Sequence, residues 1–224
     1  MGTEPIQAGA LRYRFGVRPG GTHQVILALI PERCTVLDVG CASGYLGAEL
    51  SRRGCHVWGV DADRFALAAI PHGAYEEVAQ VDLNALKKWP YWPLRFDAVI
   101  VADVLEHVVE PERVLGILAG ALAPGGRIVV SLPNVANFTT RFGLLLGRFE
   151  YTELGILDRT HLHLYTYASS SRLLRAAGLE VVSAYAGSDR FGRLLNGSRV
   201  GLHVLGGLLA FDVILVGVAQ VDQV

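Results

Sequence analysis

The chain has almost no net charge and little sulfur. Its 20 basic and 21 acidic side chains leave a formal charge of −1 over 224 residues. No global positive field is therefore present to attract a phosphate backbone, which argues against a nucleic acid partner. The three cysteines, Cys34, Cys41 and Cys55, are odd in number and lack metal-ligand spacing. We therefore expect small buried residues in a reducing, cytoplasmic setting rather than a disulfide framework or a zinc site.

Signals for export, repeats and linkers are also missing. The opening stretch "MGTEPIQAGALRYRFG" has no charged segment followed by an apolar run, which is the pattern of a secretory signal. No internal repeat or low-complexity tract interrupts the chain, and its length suits one domain. We expect a single domain over residues 1–224, with an N-terminal helical segment over residues 1–33.

One apolar stretch needs a test for a membrane span. Hydrophobic residues make up 51% of the chain, and residues 200–218 approach the length of a bilayer span. His203 and Asp212 interrupt this stretch, and both would be costly in hydrocarbon. We expect no span, but a short apolar helix followed by a core strand at residues 211–220.

Apolar β-rich runs alternate with helical patterns along the chain, which predicts βαβ units and a parallel sheet. The run "FDAVIVAD" at residues 96–103 is nearly continuous in apolar residues, as a central strand covered on both faces should be. The other expected strands lie at residues 35–39, 56–60, 77–81, 127–132, 179–186 and 211–220. The expected helices lie at residues 22–30, 45–53, from near 63, 112–122 and 168–177.

The first expected strand ends in a carboxylate and a glycine-containing turn. Asp38 is followed by the turn Gly40-Cys41-Ala42-Ser43-Gly44, which would present bare amides at a helix N-terminus to a polar ligand. Ligands of open α/β sheets bind beyond the carboxyl ends of the strands. The turn matches neither the G-x-G-x-x-G dinucleotide fingerprint nor a Walker phosphate loop.

Two further acids end neighbouring strands. Asp61 closes the second expected strand and Asp82 the third. Asp38 could accept hydrogen bonds from an ammonium group, Asp61 from both hydroxyls of a ribose, and Asp82 from an adenine amine. S-adenosylmethionine has these three parts. The alternative is that each acid caps the helix that follows it.

The motifs "VLDVGCASGYLG", "GVDAD", "VDL", "FDAVIVADVLEHV" and "LAPGGRIVVSLPN" resemble, in this order, those of class I S-adenosylmethionine-dependent methyltransferases. The resemblance covers most of residues 35–134. It implies a Rossmann-like, doubly wound α/β fold with helices on both faces of a seven-stranded sheet. The implied strand order is 3-2-1-4-5-7-6, with the last strand antiparallel. Ala42 stands where many members have glycine.

The resemblance also implies which residues contact S-adenosylmethionine. They lie at the ends of four strands: Asp38, Gly40, Cys41, Ala42, Ser43 and Gly44 at the methionine part, Asp61 and Ala62 at the ribose, Asp82 and Leu83 at the adenine, and Ala102, Asp103 and Val104 at the fourth strand.

Residues 134–166 are too long for a plain connection and are expected to form a lid or insertion. Within them, "GILDRTHLHLYT" is similar to a signature of bacterial methyltransferases associated with cell-surface glycan and lipid-linked sugar pathways, and related to MetW-type proteins. His163 stands where that subgroup has arginine. Residues 137–149 have the pattern of an amphipathic helix. This helix is expected to be a lid over the cofactor, or else a surface that meets a lipid-linked or membrane-apposed acceptor.

Methyl transfer to a hydroxyl requires alignment, desolvation and a base. His107, His161 and His163 are the candidate catalytic residues, because a neutral imidazole can take a hydroxyl proton. A metal site built from Asp158, His161 and His163 is disfavoured, since histidines two residues apart are common by chance. We therefore expect no metal.

The sequence predicts a methyltransferase that modifies a small-molecule acceptor, at a hydroxyl of a sugar or another secondary metabolite. Two alternatives remain open: N- or C-methylation of a small metabolite, and a MetW-like accessory protein with little turnover. An acceptor pocket lined by His107 and His161 would favour the first function, whereas an apolar surface near residues 200–209 would favour the accessory protein. Assembly as a homodimer also remains open.

Overall fold

The computed structural model describes residues 21–187 and 207–219, which are organised around a seven-stranded sheet. The strands, in chain order, are β1 Thr35–Val39, β2 His56–Asp61, β3 Glu77–Gln80, β4 Phe96–Ala102, β5 Leu122–Pro133, β6 Leu179–Gly187 and β7 Asp212–Ala219. Their order across the sheet is β3-β2-β1-β4-β5-β7-β6. Strands β1 to β5 pair in parallel, whereas β7 is antiparallel to β5 and β6. The predicted strand order and the antiparallel last strand are confirmed.

In the described part of the chain, six helices of five residues or more lie before and between the strands. They are α1 Thr22–Leu29, α2 Tyr45–Arg52, α3 Arg64–Ala68, α4 Pro111–Ala119, α5 Phe138–Leu145 and α6 Tyr167–Ala176. A single 3₁₀ turn, Leu105–His107, follows β4, and a short helical turn, Gly207–Leu209, precedes β7.

Both faces of the sheet are covered by helices. In β1, Val36 belongs to the buried cluster that contains Ile26 of α1 and Leu50 of α2. The next residue, Leu37, belongs to a second cluster, which contains Leu115 of α4 and Leu174 of α6. Because successive side chains of a strand point to opposite faces, a central strand between two helical layers must be apolar throughout. The predicted helices on both faces are confirmed.

The boundary between α4 and β5 differs from the expectation of a helix to residue 122 and a strand from residue 127. Helix α4 ends at Ala119, and β5 begins at Leu122, which pairs with Phe96. The register shifts between Phe96 and Ala98, so the "APGG" turn is accommodated as an irregularity inside a long strand.

Two regions expected from sequence lie partly outside the described residues. The last strand, expected at residues 211–220, is observed as Asp212–Ala219. Residues 200–206 of the expected apolar helix, and residues 1–20 of the expected N-terminal helical segment, are outside the described ranges. Among residues 21–187 and 207–219, no helix has the length and apolar composition required to cross a bilayer.

The expected insertion lies between β5 and α6, and its helix, α5, is shorter than predicted. Asn137 caps α5 by accepting a hydrogen bond from the Thr139 amide at 3.0 Å, and Gly147, at φ 70°, follows its end. The helix does not bury its apolar side chains: Phe142 is 60% exposed and Leu145 is 80% exposed. This exposure distinguishes α5 from the helices that cover the sheet.

Candidate functional site

A cavity of about 680 Å³ opens at the carboxyl ends of β1, β2 and β4. Its size is within the range of small-molecule sites. Most of the residues predicted to contact a cofactor line it, and they are Asp38, Gly40, Cys41, Ala42, Asp61, Ala62, Asp82, Leu83, Ala102, Asp103 and Val104. Ser43 and Gly44 do not line it, and Gly44 instead caps α2.

The turn after β1 has backbone conformations that favour glycine. Gly40 has φ 72°, and a Cβ at this position would lie 2.4 Å from Cγ2 of Val104. Ala42 also has a positive φ, of 46°, which is unusual for a residue with a side chain. A hydrogen bond from the Ala42 amide to Oδ2 of Asp61, at 2.8 Å, holds the turn against the end of β2.

Asp38 is a buried acid of the site. It is 1% exposed, and its Oδ2 accepts a hydrogen bond from the Tyr75 hydroxyl at 2.6 Å. Burial raises the pKa of the Asp38 carboxyl to about 6, and the nearby Asp61 carboxylate adds to the shift. The Tyr75 hydrogen bond acts in the opposite direction. Asp38 is therefore a carboxylate whose charge a cationic ligand would stabilise.

Tyr75 was not identified by sequence reasoning, although glycines shape its environment. A Cβ on Gly47 would lie 2.1 Å from Cζ of Tyr75, and one on Gly59 would lie 2.8 Å from Cε1. The Tyr75 hydroxyl also accepts a hydrogen bond from the Gly47 amide at 3.2 Å. Glycines on α2 and β2 thus form the slot from which Tyr75 reaches Asp38.

The other two predicted acids line the cavity and also bond to the backbone. Asp61 accepts hydrogen bonds from the amides of Ala42 and Asp63, each at 2.8 Å. Asp82 accepts one from the Asn84 amide at 2.9 Å. Each of these carboxylate oxygens accepts one backbone hydrogen bond. Because a carboxylate oxygen has two lone pairs, it can still accept a second hydrogen bond from a ligand.

Two of the three predicted catalytic histidines meet at the far end of the cavity. His107 and His161 both line it, and their ring centroids are 4.9 Å apart. Nδ1 of His107 lies 3.1 Å from the Thr160 carbonyl, and Nδ1 of His161 lies 3.1 Å from the Ile156 carbonyl. With Nδ1 as the donor, Nε2 of each ring is left for a ligand. Partial burial lowers the pKa of the His161 side chain, and the neighbouring His107 acts in the same direction.

The third histidine, His163, does not line the cavity. Its Nε2 lies 3.4 Å from the Val109 carbonyl. The chain bends at Leu162, between His161 and His163.

Backbone hydrogen bonds hold the segment at residues 158–163 against the 3₁₀ turn. The Glu106 carbonyl accepts from the amides of Leu162, at 2.7 Å, and His163, at 3.3 Å. Buried Asp158 accepts from the amide and the hydroxyl of Thr160 through Oδ1. These bonds bring His161 to the end of β4 although it is distant in sequence.

Glu106 is a further site residue that sequence reasoning missed. It lines the cavity and is only 1% exposed, and within the described residues neither carboxylate oxygen has a hydrogen-bond partner. Burial raises the pKa of the Glu106 carboxyl well above its ordinary value, with the Asp103 carboxylate as the next contributor. The sequence signal was its position directly before His107 in "LEHV". The remaining unpredicted residues that line the cavity include Thr22, His23, Tyr45, Pro133, Gly155, Phe211 and Asp212.

The chain matches a family model described as a methyltransferase domain over residues 12–184. It is 40% identical over 181 residues to a ubiquinone biosynthesis O-methyltransferase of Xylella fastidiosa, covering 73% of this chain and 72% of that protein. It is 32% identical over 151 residues to the protein of that name from Aeromonas salmonicida, covering 65% of this chain and 63% of the relative. The chain thus spans a little under two thirds of the length of some curated relatives.

Solved structures share the fold at low identity. The magnesium protoporphyrin IX methyltransferase of Synechocystis with bound SAH aligns with a TM-score of 0.61 at 20% identity, over 89% of this chain and 82% of that one. A TehB-like SAM-dependent methyltransferase of Corynebacterium glutamicum aligns with a TM-score of 0.57 at 17% identity, over 88% and 86%. The match of the family model over most of the chain, together with the 40% identity to the Xylella fastidiosa relative, shows that the chain belongs to the family of methyltransferase domains.

The slot around Tyr75 generates a test of the packing. Substitution Gly47→Ala should destabilise the protein by about 1–3 kcal/mol, because the new methyl group would overlap the Tyr75 ring. The matched control is Gly116→Ala in α4, where an added Cβ would come no closer than 4.0 Å to another atom. This control should stabilise the helix by up to about 1 kcal/mol. Urea unfolding curves of both variants would measure the difference, and equal midpoints would contradict the packing described.

Proposed function

We propose that this chain, as a member of that family, transfers a methyl group from S-adenosylmethionine to a hydroxyl of a small-molecule acceptor. The observation that carries the proposal is that one cavity extends from the turn after β1 to the pair His107 and His161. It joins a place for the cofactor to a place where a hydroxyl could lose its proton. The similarity to curated relatives that are named O-methyltransferases supports the same reaction.

The residues at one end of the cavity fit the cofactor. Asp38 is a buried carboxylate suited to an ammonium group, and the bare backbone of Gly40 allows close approach. The remaining lone pairs of Asp61 can accept ribose hydroxyls, and Asp82 can accept from the adenine amine. When bound, S-adenosylmethionine supplies an electrophilic methyl group, and its sulfur keeps the electron pair of the broken carbon–sulfur bond.

The histidine pair fits the acceptor. A hydroxyl in the cavity beside the two rings would be aligned and partly desolvated, and a neutral imidazole nitrogen can accept its proton. N- or C-methylation would have less need of such a base. From the sequence, a pocket lined by His107 and His161 is the feature that favours a sugar, or another hydroxylated metabolite, as the methyl acceptor. The surface expected for a MetW-like accessory protein, near residues 200–209, falls largely outside the described residues. Homodimer assembly stays a prediction.

The exposed face of α5 supports an acceptor that is lipid-linked or presented at a membrane surface. Large apolar side chains of α5 and the residues after it are at least 42% exposed, and they are Phe138, Phe142, Leu144, Leu145, Leu146, Phe149, Tyr151 and Leu154. The exposed cations Arg141 and Arg148 lie among them. A lid closed over the cofactor would bury these side chains, whereas an interfacial helix presents them to lipid.

The raised pKa of Asp38 predicts a pH dependence of cofactor binding. An ammonium group pairs with the ionised carboxylate, so affinity should be constant well above pH 6 and fall as the pH drops through about 6. The fall should approach about tenfold per pH unit, because binding then releases the Asp38 proton. Isothermal titration with S-adenosylhomocysteine between pH 5 and pH 8 would measure it.

Two variants sharpen this test. Asp38→Asn should weaken binding by about 10- to 100-fold at pH 8 and remove the pH dependence, because a charge-assisted hydrogen bond is lost. Tyr75→Phe should move the midpoint to higher pH, since it removes the hydrogen bond that opposes the upward shift. Asp82→Asn, at the adenine end, is the control that should keep the wild-type pH profile. An unchanged profile in Asp38→Asn would disprove the assigned role.

The acceptor end is tested by methyl transfer from labelled S-adenosylmethionine to a panel of glycosides, phenols and amines. His107→Gln and His161→Gln should each lower kcat on a hydroxyl acceptor by about 100-fold or more, with the affinity for S-adenosylhomocysteine unchanged. His163→Gln should behave as wild type, because its ring lies outside the cavity. Transfer to amines alone would contradict O-methylation.

The α5 surface predicts binding to phospholipid vesicles. Phe142→Asp combined with Leu145→Asp should weaken co-sedimentation with the vesicles about tenfold or more, because both apolar side chains would leave the interface. Val182→Asp on β6 is the control, since Val182 is also 52% exposed but lies outside the insertion. Wild-type protein that remains in the supernatant at all vesicle concentrations would exclude the interfacial role.

A further inference from the structure

Glu106 is costly for the protein to bury. Its side chain is 1% exposed, and neither carboxylate oxygen has a hydrogen-bond partner within the described residues. A buried carboxylate in a native protein is paired, coordinates a metal ion or takes up a proton, because an unpaired charge loses its hydration without compensation. Proton transfer from a hydroxyl to a histidine does not require this carboxylate. Glu106 therefore implies a ligand that the reaction with histidine as base does not include.

Two histidines lie within coordinating reach of Glu106. One ligand atom each from Glu106, His107 and His161 can be chosen so that all three lie within 4.8 Å of one another. Both Nδ1 atoms lie 3.1 Å from backbone carbonyls. Metal-binding histidines are commonly oriented in this way, because a hydrogen bond from one ring nitrogen fixes the ring and leaves the other nitrogen to the ion.

The surrounding charge is negative. The carboxylates of Asp103, Asp158 and Asp212 all raise the pKa of Glu106, as nearby negative charges do. Asp103 is held in place by the Ser131 hydroxyl, which donates to its Oδ1 at 2.6 Å. No lysine or arginine lines the cavity within the described residues. A cation would offset this charge.

We propose that Glu106, His107 and His161 bind one divalent transition-metal cation at the acceptor end of the cavity. Two imidazoles and one carboxylate suit zinc and its first-row neighbours, whereas magnesium and calcium prefer oxygen ligands alone. Three protein ligands leave at least one coordination position for water or an acceptor oxygen, as in catalytic rather than structural sites. This ligand set replaces the one disfavoured on sequence grounds, since Asp158 and His163 are not part of it.

The cation would change how the hydroxyl is activated, and this consequence rests on the proposed O-methyl transfer. A hydroxyl that contacts the cation has a lowered pKa and loses its proton to solvent. Its oxygen keeps the electron pair and forms the new bond to the methyl carbon, while the carbon–sulfur pair remains on sulfur. The cation is neither oxidised nor reduced. His107 and His161 then act as ligands, and neither needs to be the base.

The test is titration of the metal-free full chain with Co²⁺, followed by visible absorption and by equilibrium dialysis. One equivalent should bind per chain with the visible bands of a low-coordinate site. Glu106→Gln and His161→Gln should each weaken binding at least tenfold, and His163→Gln, a histidine two residues away, should leave it unchanged. Thermal melting and binding of S-adenosylhomocysteine would establish that both ligand variants are folded. Binding that is absent, or insensitive to Glu106→Gln and His161→Gln, would overturn the proposal.

The competing occupant is the sulfonium of S-adenosylmethionine. If it compensates Glu106, then Glu106→Gln should weaken S-adenosylmethionine relative to S-adenosylhomocysteine and leave Co²⁺ binding unchanged, which would overturn the metal site. Activity separates this proposal from the proposed function. Full methyl transfer by chelator-treated protein without detectable metal would keep the function and overturn the cation. Stoichiometric cobalt binding at these ligands, without transfer to any hydroxyl acceptor, would keep the cation and overturn the function.

Discussion

The parallel pairing of β1 with both β2 and β4 is the constraint on which the site depends. Parallel strands bring their carboxyl ends to one edge, and the chain leaves β1 and β4 in different directions there. The resulting crevice receives Asp38 from β1, Asp61 from β2 and the 3₁₀ turn that follows β4. The apolar strands, covered on both faces, provide the rigid frame that keeps these groups in register.

Around this crevice the fold concentrates negative charge in a poorly solvated volume. Asp38 has one neutral partner, Tyr75, and Glu106 has none within the described residues. Such an arrangement is stabilised when a cation enters. An ammonium group at Asp38 and a metal ion at Glu106 would neutralise the two ends of the same cavity separately. The free energy of ligand binding can thus offset a cost that folding alone leaves in place.

The insertion between β5 and α6 contributes to the site and to the surface by different means. Its distal part is anchored to the 3₁₀ turn by backbone hydrogen bonds, which bring His161 to His107. Its proximal part, α5, exposes apolar side chains that no described element covers. One segment therefore completes the histidine-lined end of the cavity and presents a surface suited to an apolar environment. The two roles would be coupled if the acceptor carries a lipid.

The resemblance of the sequence motifs to a known family predicted the sheet order, which the structure has. Most of the residues predicted to contact a cofactor line the cavity, because they lie within short motifs whose geometry is local. A strand followed directly by a glycine-containing turn fixes where Asp38 and Gly40 lie relative to β1, and the same holds for Asp61 and β2. Tertiary structure alone decided the rest. Tyr75 reaches Asp38 across a slot formed by two other elements, and Glu106 and His161 meet only because residues 158–163 dock on the turn after β4. His163 follows a bend at Leu162 and does not line the cavity. Spacing along the chain does not encode such contacts, since they depend on how distant segments pack.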